Sequence, residues 1–167
     1  MSDALRGLAA RVQLLVLDVD GVLTDGRLWF GADGEVLKAF HVRDGHGIKQ
    51  LREAGIEVAV ISGRRSTAVE ARMHELGVTR VAQGVQDKQL ALDALLAELR
   101  VGATEAACLV DDLPDLPLLR SVGLPAAVAD AHPVVLAAAR HVTALPGGHG
   151  AVREFCDWLL AAREPAP

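Results

Sequence analysis

Several residues with chemically useful side chains stand at or shortly after the ends of the predicted strands of this chain. They supply carboxylates, one hydroxyl and one ammonium group: Asp18, Asp20, Ser62, Lys88, Asp111, Asp112 and Asp115. Taken singly, each has an ordinary explanation as a turn residue, a helix cap or a surface charge. Ligands of open α/β sheets bind outside the carboxyl ends of the strands, so a parallel sheet would gather all seven at one edge.

These residue types favour one kind of chemistry when they are taken together. Clustered carboxylates repel one another unless a cation neutralises them, and hard oxygen ligands without Cys or His suit Mg²⁺. A hydroxyl and an ammonium group beside that metal would bind a phosphoryl group. The sequence therefore predicts magnesium-dependent phosphoryl chemistry at the sheet edge.

Short apolar runs alternate with segments of helical period along most of the chain. The predicted strands are 14–17, 57–61, a short run near Val81, 106–110 and 125–128. The predicted helices are 46–55, 67–76, 88–99, 114–121 and 133–139. This alternation predicts an α/β fold, a doubly wound, Rossmann-like parallel sheet with helices on both faces.

Two segments interrupt the alternation. Residues 27–42 contain Asp33-Gly34 between apolar runs, which predicts a projecting β-hairpin. Residues 145–162 open with a glycine-rich stretch and close with a helix. Because no linker is evident, residues 1–162 are predicted to form a single domain, and 163–167 a disordered tail. The intervals between the candidate site residues already hold predicted elements, which leaves no room for a cap domain.

The composition narrows the class of protein. The chain has 167 residues, a formal net charge of −5 and 51% apolar residues, which argues against disorder and against nucleic acid as a partner. No apolar run approaches the roughly 20 residues of a membrane span, and no leader segment is evident. Two distant cysteines, Cys108 and Cys156, are expected to be free thiols in a reducing compartment. We expect a soluble cytoplasmic protein without a membrane partner.

The order of the motifs resembles that of the haloacid dehalogenase superfamily phosphatases, with Asp18-Val19-Asp20-Gly21 first, then Ser62, Lys88, and Asp111 with Asp115. Over roughly residues 12–162 the chain is similar to the branch that hydrolyses 3-deoxy-D-manno-octulosonate 8-phosphate for lipopolysaccharide sugar biosynthesis. The segments that carry this closer resemblance are 24–26, 40–45, 61–64, 129–133 and 147–154.

The resemblance implies a mechanism with an aspartyl-phosphate intermediate. Asp18 would be the nucleophile, and Asp20 would protonate the leaving oxygen and then activate water. The resemblance also implies that Mg²⁺ is held by Asp18, Asp111 and the backbone carbonyl of Asp20. Ser62 would bind the transferring oxygens and Lys88 would neutralise their charge.

Outside this group, the resemblance assigns Asp112 and Asp115 to supporting positions behind the metal ligands, where Asp115 would hold Lys88 or metal-bound water. A sugar-acid phosphate presents a carboxylate besides its phosphate, and arginine binds such anions through two parallel hydrogen bonds. The candidates for substrate binding are Arg43, His46, Gly63, Arg64 and Arg153.

The chain departs from the family pattern at two positions. Val110 stands before the last aspartates where glycine is usual, and added bulk there could alter the backbone beside the metal. His149 stands where arginine is common, which could weaken contacts to the substrate anion or make them depend on pH. Neither position belongs to the group that carries the reaction.

The resemblance implies a homotetramer in which the hairpin 27–42 and the C-terminal segment of neighbouring subunits help to enclose each site. An apolar ribbon projecting alone is poorly tolerated in water, although packing of the hairpin on its own sheet is the alternative. All five aromatic residues lie in these two segments, which predicts an aliphatic core and aromatic contacts between subunits. The five are Trp29, Phe30, Phe40, Phe155 and Trp158.

Three other functions are consistent with parts of this pattern. A signalling receiver domain places its acidic pair on the first strand, whereas here Asp111-Asp112 comes last, so the chain order excludes it. A silent oligomerisation or regulatory module of the same fold would be expected to lack a motif residue, and none is missing. A phosphatase for another keto-deoxy sugar-acid phosphate, such as a sialic-acid type, remains an alternative.

Overall fold

The computed structural model describes residues 3–164 of the chain. It contains a sheet of six parallel strands in the order β5-β4-β1-β6-β7-β8 and a separate antiparallel hairpin of β2 and β3. The strands are β1 (Leu14–Leu17), β2 (Trp29–Gly31), β3 (Gly34–Leu37), β4 (Glu57–Ser62), β5 (Arg80–Gln83), β6 (Ala106–Val110), β7 (Leu124–Ala127) and β8 (His141–Val142).

Within residues 3–164, seven α-helices precede, connect or follow these strands. They are α1 (Asp3–Ala10), α2 (Val42–Glu53), α3 (Thr67–Leu76), α4 (Lys88–Leu99), α5 (Leu116–Ser121), α6 (Pro133–Ala138) and α7 (Ala151–Arg163). Helices α2 and α1 both pack on α7, and α4 packs on α5 and β4. Among the helices of residues 3–164, none is long and apolar enough to cross a bilayer.

The centre of the sheet sets the position of the predicted site. Every residue of β1 and β6 is buried, as expected for strands that are covered on both faces. Leu17, the last residue of β1, is in register with Val60 on one side and Leu109 on the other. The chain therefore leaves three neighbouring strands at nearly the same level, which brings the residues that follow them together.

The observed fold confirms the predicted class and most of its elements. The helix predicted at 114–121 is divided into a 3₁₀ turn at Leu113–Asp115 and α5, because Pro114 and Pro117 interrupt the helical hydrogen bonding. Helix α1 and strand β8 were not predicted. Arg163, which we expected in a disordered tail, is the last residue of α7 and donates to the carbonyl oxygens of Ala54 and Val12. Residues 165–167 of that tail lie outside the described residues.

The prediction of an aliphatic core and aromatic subunit contacts was wrong for the C-terminal segment. Phe155 is fully buried in the hydrophobic core, and Trp158 packs against that core from the side. The ring of His141 on β8 lies 5.4 Å from the ring of Phe155 and 4.2 Å from that of Trp158. These aromatic side chains attach α7 to the end of the sheet.

Candidate active site

Three carboxylates converge at the carboxyl edge of the sheet. Asp18 follows β1, Asp111 follows β6, and Asp115 ends the 3₁₀ turn after β6. One oxygen atom from each carboxylate lies within 4.8 Å of the others, an arrangement that could hold a metal ion. Asp18 and Asp115 are buried, whereas Asp111 is partly exposed. A cation would therefore enter this group of carboxylates from the side of Asp111.

Lys88 provides the positive charge within this group. As the first residue of α4 it is placed by Asp87, whose carboxylate caps the helix by accepting a hydrogen bond from the N–H of Leu90. The buried ammonium group donates to Asp18 Oδ1 at 2.6 Å and to Asp115 Oδ1. Burial alone would lower the pKa of Lys88, but the two carboxylates outweigh it and raise that pKa.

The carboxylates carry more negative charge than Lys88 neutralises. Burial, followed by repulsion from Asp115, raises the pKa of Asp18 to about 7, although Lys88 opposes the shift. Burial and the charges of Asp18 and Asp115 raise the pKa of Asp111 to about 8. A divalent cation among these oxygens would favour the ionised forms, and an all-oxygen donor set suits Mg²⁺. The residues present therefore fit a magnesium ion.

Two glycines allow the loop after β1 to pack tightly at this edge. Gly21 has a φ of +95°, and a Cβ atom there would lie 2.0 Å from Asp111 Oδ2. On the other side, a Cβ atom at Gly147 would lie 1.7 Å from the carbonyl oxygen of Gly21. Gly148 donates its N–H to the carbonyl oxygen of Val22 at 2.9 Å. The glycine-rich C-terminal loop thus packs directly against the loop that carries Asp18 and Asp20.

Asp20, unlike Asp18, contacts the hairpin. The ammonium group of Lys38, directly after β3, donates to Asp20 Oδ1, and the Lys38 side chain is only 1% exposed. Lys38 also pairs with Glu35 at 3.0 Å. Burial raises the pKa of Glu35, but hydrogen bonds from Ser66 and Lys38 outweigh it and lower that pKa, so the carboxylate stays ionised.

The third strand end contributes a hydroxyl group and a cation. Ser62, the last residue of β4, is buried, and its Oγ accepts a hydrogen bond from the N–H of Arg64. The Arg64 guanidinium lies 3.6 Å from Asp20 Oδ2 and 3.4 Å from Glu35 Oε2, and its side chain remains 43% exposed. Arg64 is therefore the accessible cation at the mouth of the site.

All seven residues predicted to carry or support the reaction line one cleft of about 250 Å³, together with Gly63 and Arg64. The cleft lies where β1, β4 and β6 end, with the start of α4 closing its base. Asp112 lies at its exposed rim, where its side chain accepts a hydrogen bond from the N–H of Leu113 and caps the 3₁₀ turn. The arrangement places carboxylates, a hydroxyl and an ammonium group around one small cleft.

Comparison with known proteins identifies the family. A family model described as haloacid dehalogenase-like hydrolase matches residues 80–154. A 3-deoxy-D-manno-octulosonate 8-phosphate phosphatase of Yersinia pestis is 49% identical over 156 residues, which cover 93% of this chain and 83% of that relative. The chain belongs to the haloacid dehalogenase-like hydrolases.

Solved structures agree with this assignment. The crystal structure of the Yersinia pestis phosphatase superposes with a TM-score of 0.95 at 48% identity, covering 98% of this chain and 88% of that one. A Moraxella catarrhalis 3-deoxy-D-manno-octulosonate 8-phosphate phosphatase superposes with a TM-score of 0.94 at 37% identity, with coverages of 98% and 94%. That structure contains a magnesium ion, a phosphate ion and a KDO molecule. The family resemblance seen in the sequence is therefore confirmed.

Three predicted substrate residues lie away from the cleft of this haloacid dehalogenase-like hydrolase. Arg43 and His46 are exposed in the first turns of α2 and do not line the cleft. The guanidinium of Arg153 pairs with Asp157 at 2.8 Å along α7. Within residues 3–164, the structure thus joins Gly63 and Arg64 to the catalytic group but does not bring these three side chains to it.

The structure accommodates both residues that depart from the family pattern, Val110 and His149. Val110 is buried at the end of β6 and pairs in register with Ala127, so its side chain is accommodated within the sheet. The exposed His149 turns back on its own loop, where its Nδ1 lies 2.8 Å from the carbonyl oxygen of Gly147.

Sequence reasoning missed the roles of Lys38, Glu35 and Asp44. Lys38 is the one charged residue in the apolar stretch 36–40. A lysine at such a position can indicate that its ammonium group pairs with a buried carboxylate. Asp44, 1% exposed on α2, accepts a hydrogen bond at 2.8 Å from the backbone N–H of Arg153 and so caps α7 from a different helix. A single sequence does not show the pairings of Lys38 with Asp20 or of Asp44 with Arg153, since each joins residues of different elements.

Proposed function

We propose that this chain is a magnesium-dependent phosphatase that hydrolyses 3-deoxy-D-manno-octulosonate 8-phosphate to the free sugar acid and phosphate. The observation that carries the proposal is the meeting of all four motif elements in one cleft, with Lys88 bonded to both Asp18 and Asp115. The relatives at 49% identity are phosphatases for this compound, and the chain spans most of their length.

In the first half of the proposed reaction, Asp18 acts as the nucleophile. Its carboxylate attacks phosphorus, and the bond from phosphorus to the sugar oxygen breaks as the aspartyl-phosphate forms. Asp20 transfers its proton to the departing sugar oxygen. In the second half, the Asp20 carboxylate takes a proton from water as the water oxygen attacks phosphorus and releases Asp18. Asp20 is thereby returned to its protonated form for the next turnover.

The remaining groups stabilise the charge of the transferring phosphoryl group. Ser62 is placed to donate its hydroxyl to a phosphoryl oxygen, and Lys88, which bonds to Oδ1 of Asp18, offsets negative charge beside the nucleophile. Asp18, Asp111 and the backbone carbonyl of Asp20 would hold Mg²⁺. The bound ion would supply Lewis-acid stabilisation of the phosphoryl oxygens. Asp115 keeps the Lys88 ammonium group in place, and Asp112 shapes the turn beside it.

Substrate recognition is proposed to begin at Arg64. Its half-exposed guanidinium, already at the cleft mouth beside Gly63, can bind an anionic group of the sugar acid through two hydrogen bonds. Arg43, His46 and Arg153 keep their proposed role only if a neighbouring subunit or a rearrangement brings them to the substrate, since in their own chain they lie outside the cleft.

We further propose that residues 1–162 act as one capless domain and assemble into a homotetramer in the cytoplasm. Several hairpin side chains support the assembly because they are both apolar and exposed, among them Trp29 at 52% and Phe30 and Val36 at 62%. The hairpin and the C-terminal segment of neighbouring subunits would then help to exclude water from each site. The free, buried Cys108 and Cys156 fit a reducing compartment.

A phosphate-release assay with added Mg²⁺ tests the proposal. We expect the sugar-acid 8-phosphate to be preferred over hexose phosphates and over nine-carbon, sialic-acid-type phosphates. Asp18→Asn removes the nucleophile and should lower kcat by at least about 10³-fold. Asp93→Asn, the same change at an exposed position of α4, should leave kcat unchanged. Full activity of Asp18→Asn would contradict the mechanism, and a preference for hexose phosphates would contradict the substrate.

A further inference from the structure

A buried lysine of the hairpin holds the proposed acid–base residue. The side chain of Lys38 is 1% exposed, yet it belongs to a hairpin whose own strands are largely exposed. Its ammonium group donates to Asp20 Oδ1 and lies 3.0 Å from Glu35 Oε2. An ammonium group is buried at a cost unless opposite charges surround it, and here two carboxylates do so.

Glu35 fixes this lysine in turn. Its Oε1 accepts a hydrogen bond at 2.6 Å from the hydroxyl of Ser66, which precedes α3, and its Oε2 faces Lys38 and Arg64. The Arg64 guanidinium also lies 5.9 Å from the centre of the Phe30 ring on β2. The hairpin is therefore fastened to the site of its own chain through a connected set of charges that ends at Asp20.

We infer that Lys38 is a positioning residue for the phosphatase reaction. By holding Oδ1 of Asp20, it fixes the direction of the carboxyl group. Oδ2, which lies 3.6 Å from the Arg64 guanidinium at the mouth of the cleft, is then the oxygen that exchanges protons with the leaving oxygen and with water. Lys38 itself does not reach the substrate, because its side chain is enclosed by Glu35 and Asp20. The inference rests on the proposed function, since it assigns the orientation of the acid to that reaction.

A purely structural role for Lys38 would have a different signature. If it served only to hold the hairpin, its loss would slow the hydrolysis of all substrates by a similar factor. If it positions the acid, its loss slows only those substrates whose leaving oxygen needs a proton. Phenyl phosphate and p-nitrophenyl phosphate are similar in size, but nitrophenolate is the weaker base and leaves without protonation.

The experiment compares first-turnover release of the two phenols by rapid quench, with enzyme in excess and Mg²⁺ present. For Lys38→Met, we expect the rate with phenyl phosphate to fall on the order of 10–100-fold more than the rate with p-nitrophenyl phosphate. Lys38→Arg keeps a cation at this position and should recover part of the phenyl phosphate rate. Lys49→Met, at an exposed position of α2, is the matched control and should change neither rate.

Loss of one buried charge could unfold the hairpin, so a second variant balances the charge. Lys38→Met combined with Glu35→Gln removes one positive and one negative group, and it should show the same selective loss. Equal losses with the two substrates, or no loss with either, would overturn the inference. Absence of phosphate release from every substrate by the unmodified enzyme would instead contradict the proposed function, so the two failures are distinguishable.

Discussion

At the scale of single residues, charge balance explains why the site needs a divalent cation. Asp18, Asp111 and Asp115 share one ammonium group, that of Lys88, which leaves more negative than positive charge in a partly buried space. Burial, followed by repulsion from the neighbouring carboxylates, raises the pKa values of Asp18 and Asp111. Mg²⁺ carries the two positive charges that would complete the balance, and the half-exposed Asp111 leaves it a path of entry.

Asp44 shows the opposite case, a buried carboxylate that serves structure and not chemistry. Burial raises the pKa of Asp44 in spite of its hydrogen bond from the N–H of Arg153. The native state therefore binds this proton more tightly than the unfolded chain does. The stability that follows from this difference is complete below the unfolded value of 3.8 and is lost as the pH rises through the higher native value.

Asp44→Asn keeps an oxygen that can accept from Arg153 N–H but removes the titrating proton. The unmodified protein loses stability as the pH rises, and Asp44→Asn does not titrate here. We therefore expect the free energy of unfolding of Asp44→Asn to increase relative to that of the unmodified protein as the pH rises from about 4 towards neutrality. Asp44→Ala loses the cap as well and should be less stable by about 1 kcal/mol. Urea denaturation across this pH range measures both effects. A constant difference between Asp44→Asn and the unmodified protein would refute the assignment, and the exposed Asp93→Asn serves as control.

At the scale of elements, the loop 146–148 supports the backbone of the loop that carries Asp18 and Asp20. It packs against the loop after β1, and its position is fixed at both ends. The N–H of Gly147 donates to Asp130 at 3.0 Å, and the N–H groups of Ala144 and Leu145 donate to Glu154. In the sequence, the segments 129–133 and 147–154 carry only a family resemblance. The structure gives them a physical role in supporting the catalytic loop.

Replacement of Gly147 by alanine tests this support. The added Cβ atom would lie 1.7 Å from the carbonyl oxygen of Gly21, so one of the two loops must move. Because displacement of a reacting group by about 1 Å can cost about 10²-fold in rate, we expect kcat of Gly147→Ala to fall by about that factor. The fold should persist, which circular dichroism checks.

The matched control is Gly7→Ala on α1, where a Cβ atom would meet nothing within 4 Å. Alanine favours helix over glycine, so this variant should keep full activity and gain about 0.5–1 kcal/mol in stability. Unchanged kcat in Gly147→Ala would show that the C-terminal loop does not support the catalytic loop.

The predictable part of this molecule is the part encoded by local patterns. Runs such as 14–17 and 106–110 are wholly apolar because both faces of their strands are buried, and the residues after them became site candidates by the general rule for α/β sheets. Strand β8 has only two residues, one half-buried and one exposed, so no apolar run in the sequence predicts it. The roles of Lys38 and Asp44 could not be predicted, because their partners, Asp20 and Arg153, belong to other elements. Nothing in the local sequence specifies either contact.

At the scale of the whole molecule, the hairpin carries two sets of side chains with different surroundings. Lys38 and Glu35 contact the site of their own chain. The second set is apolar and exposed to solvent, and includes Val36 at 62% exposure. Isolated exposed apolar residues are ordinary, but a ribbon of them beside an open cleft is typical of an interface. In the proposed tetramer, the same hairpin would connect subunit contacts to the position of Asp20.

Val36→Glu tests the assembly without touching the charges around Asp20. A carboxylate buried between subunits without a partner is costly, so we expect the variant to dissociate, which light scattering coupled to gel filtration would show as a lower mass. Val134→Glu is the control, because Val134 is a 47% exposed apolar residue on α6, away from the hairpin, and its replacement should leave the mass unchanged.

The activity of the dissociated variant then separates the roles of these two sets of side chains. If neighbours exclude water from the site, Val36→Glu should raise KM and lower kcat for the sugar-acid phosphate, even though Lys38 and Glu35 remain in place. An unmodified protein that runs as a monomer at micromolar concentration would contradict the assembly while leaving the chemistry of Asp18 intact. A dissociated but fully active variant would mean that the hairpin serves each site only from within its own chain, through Lys38 and Glu35.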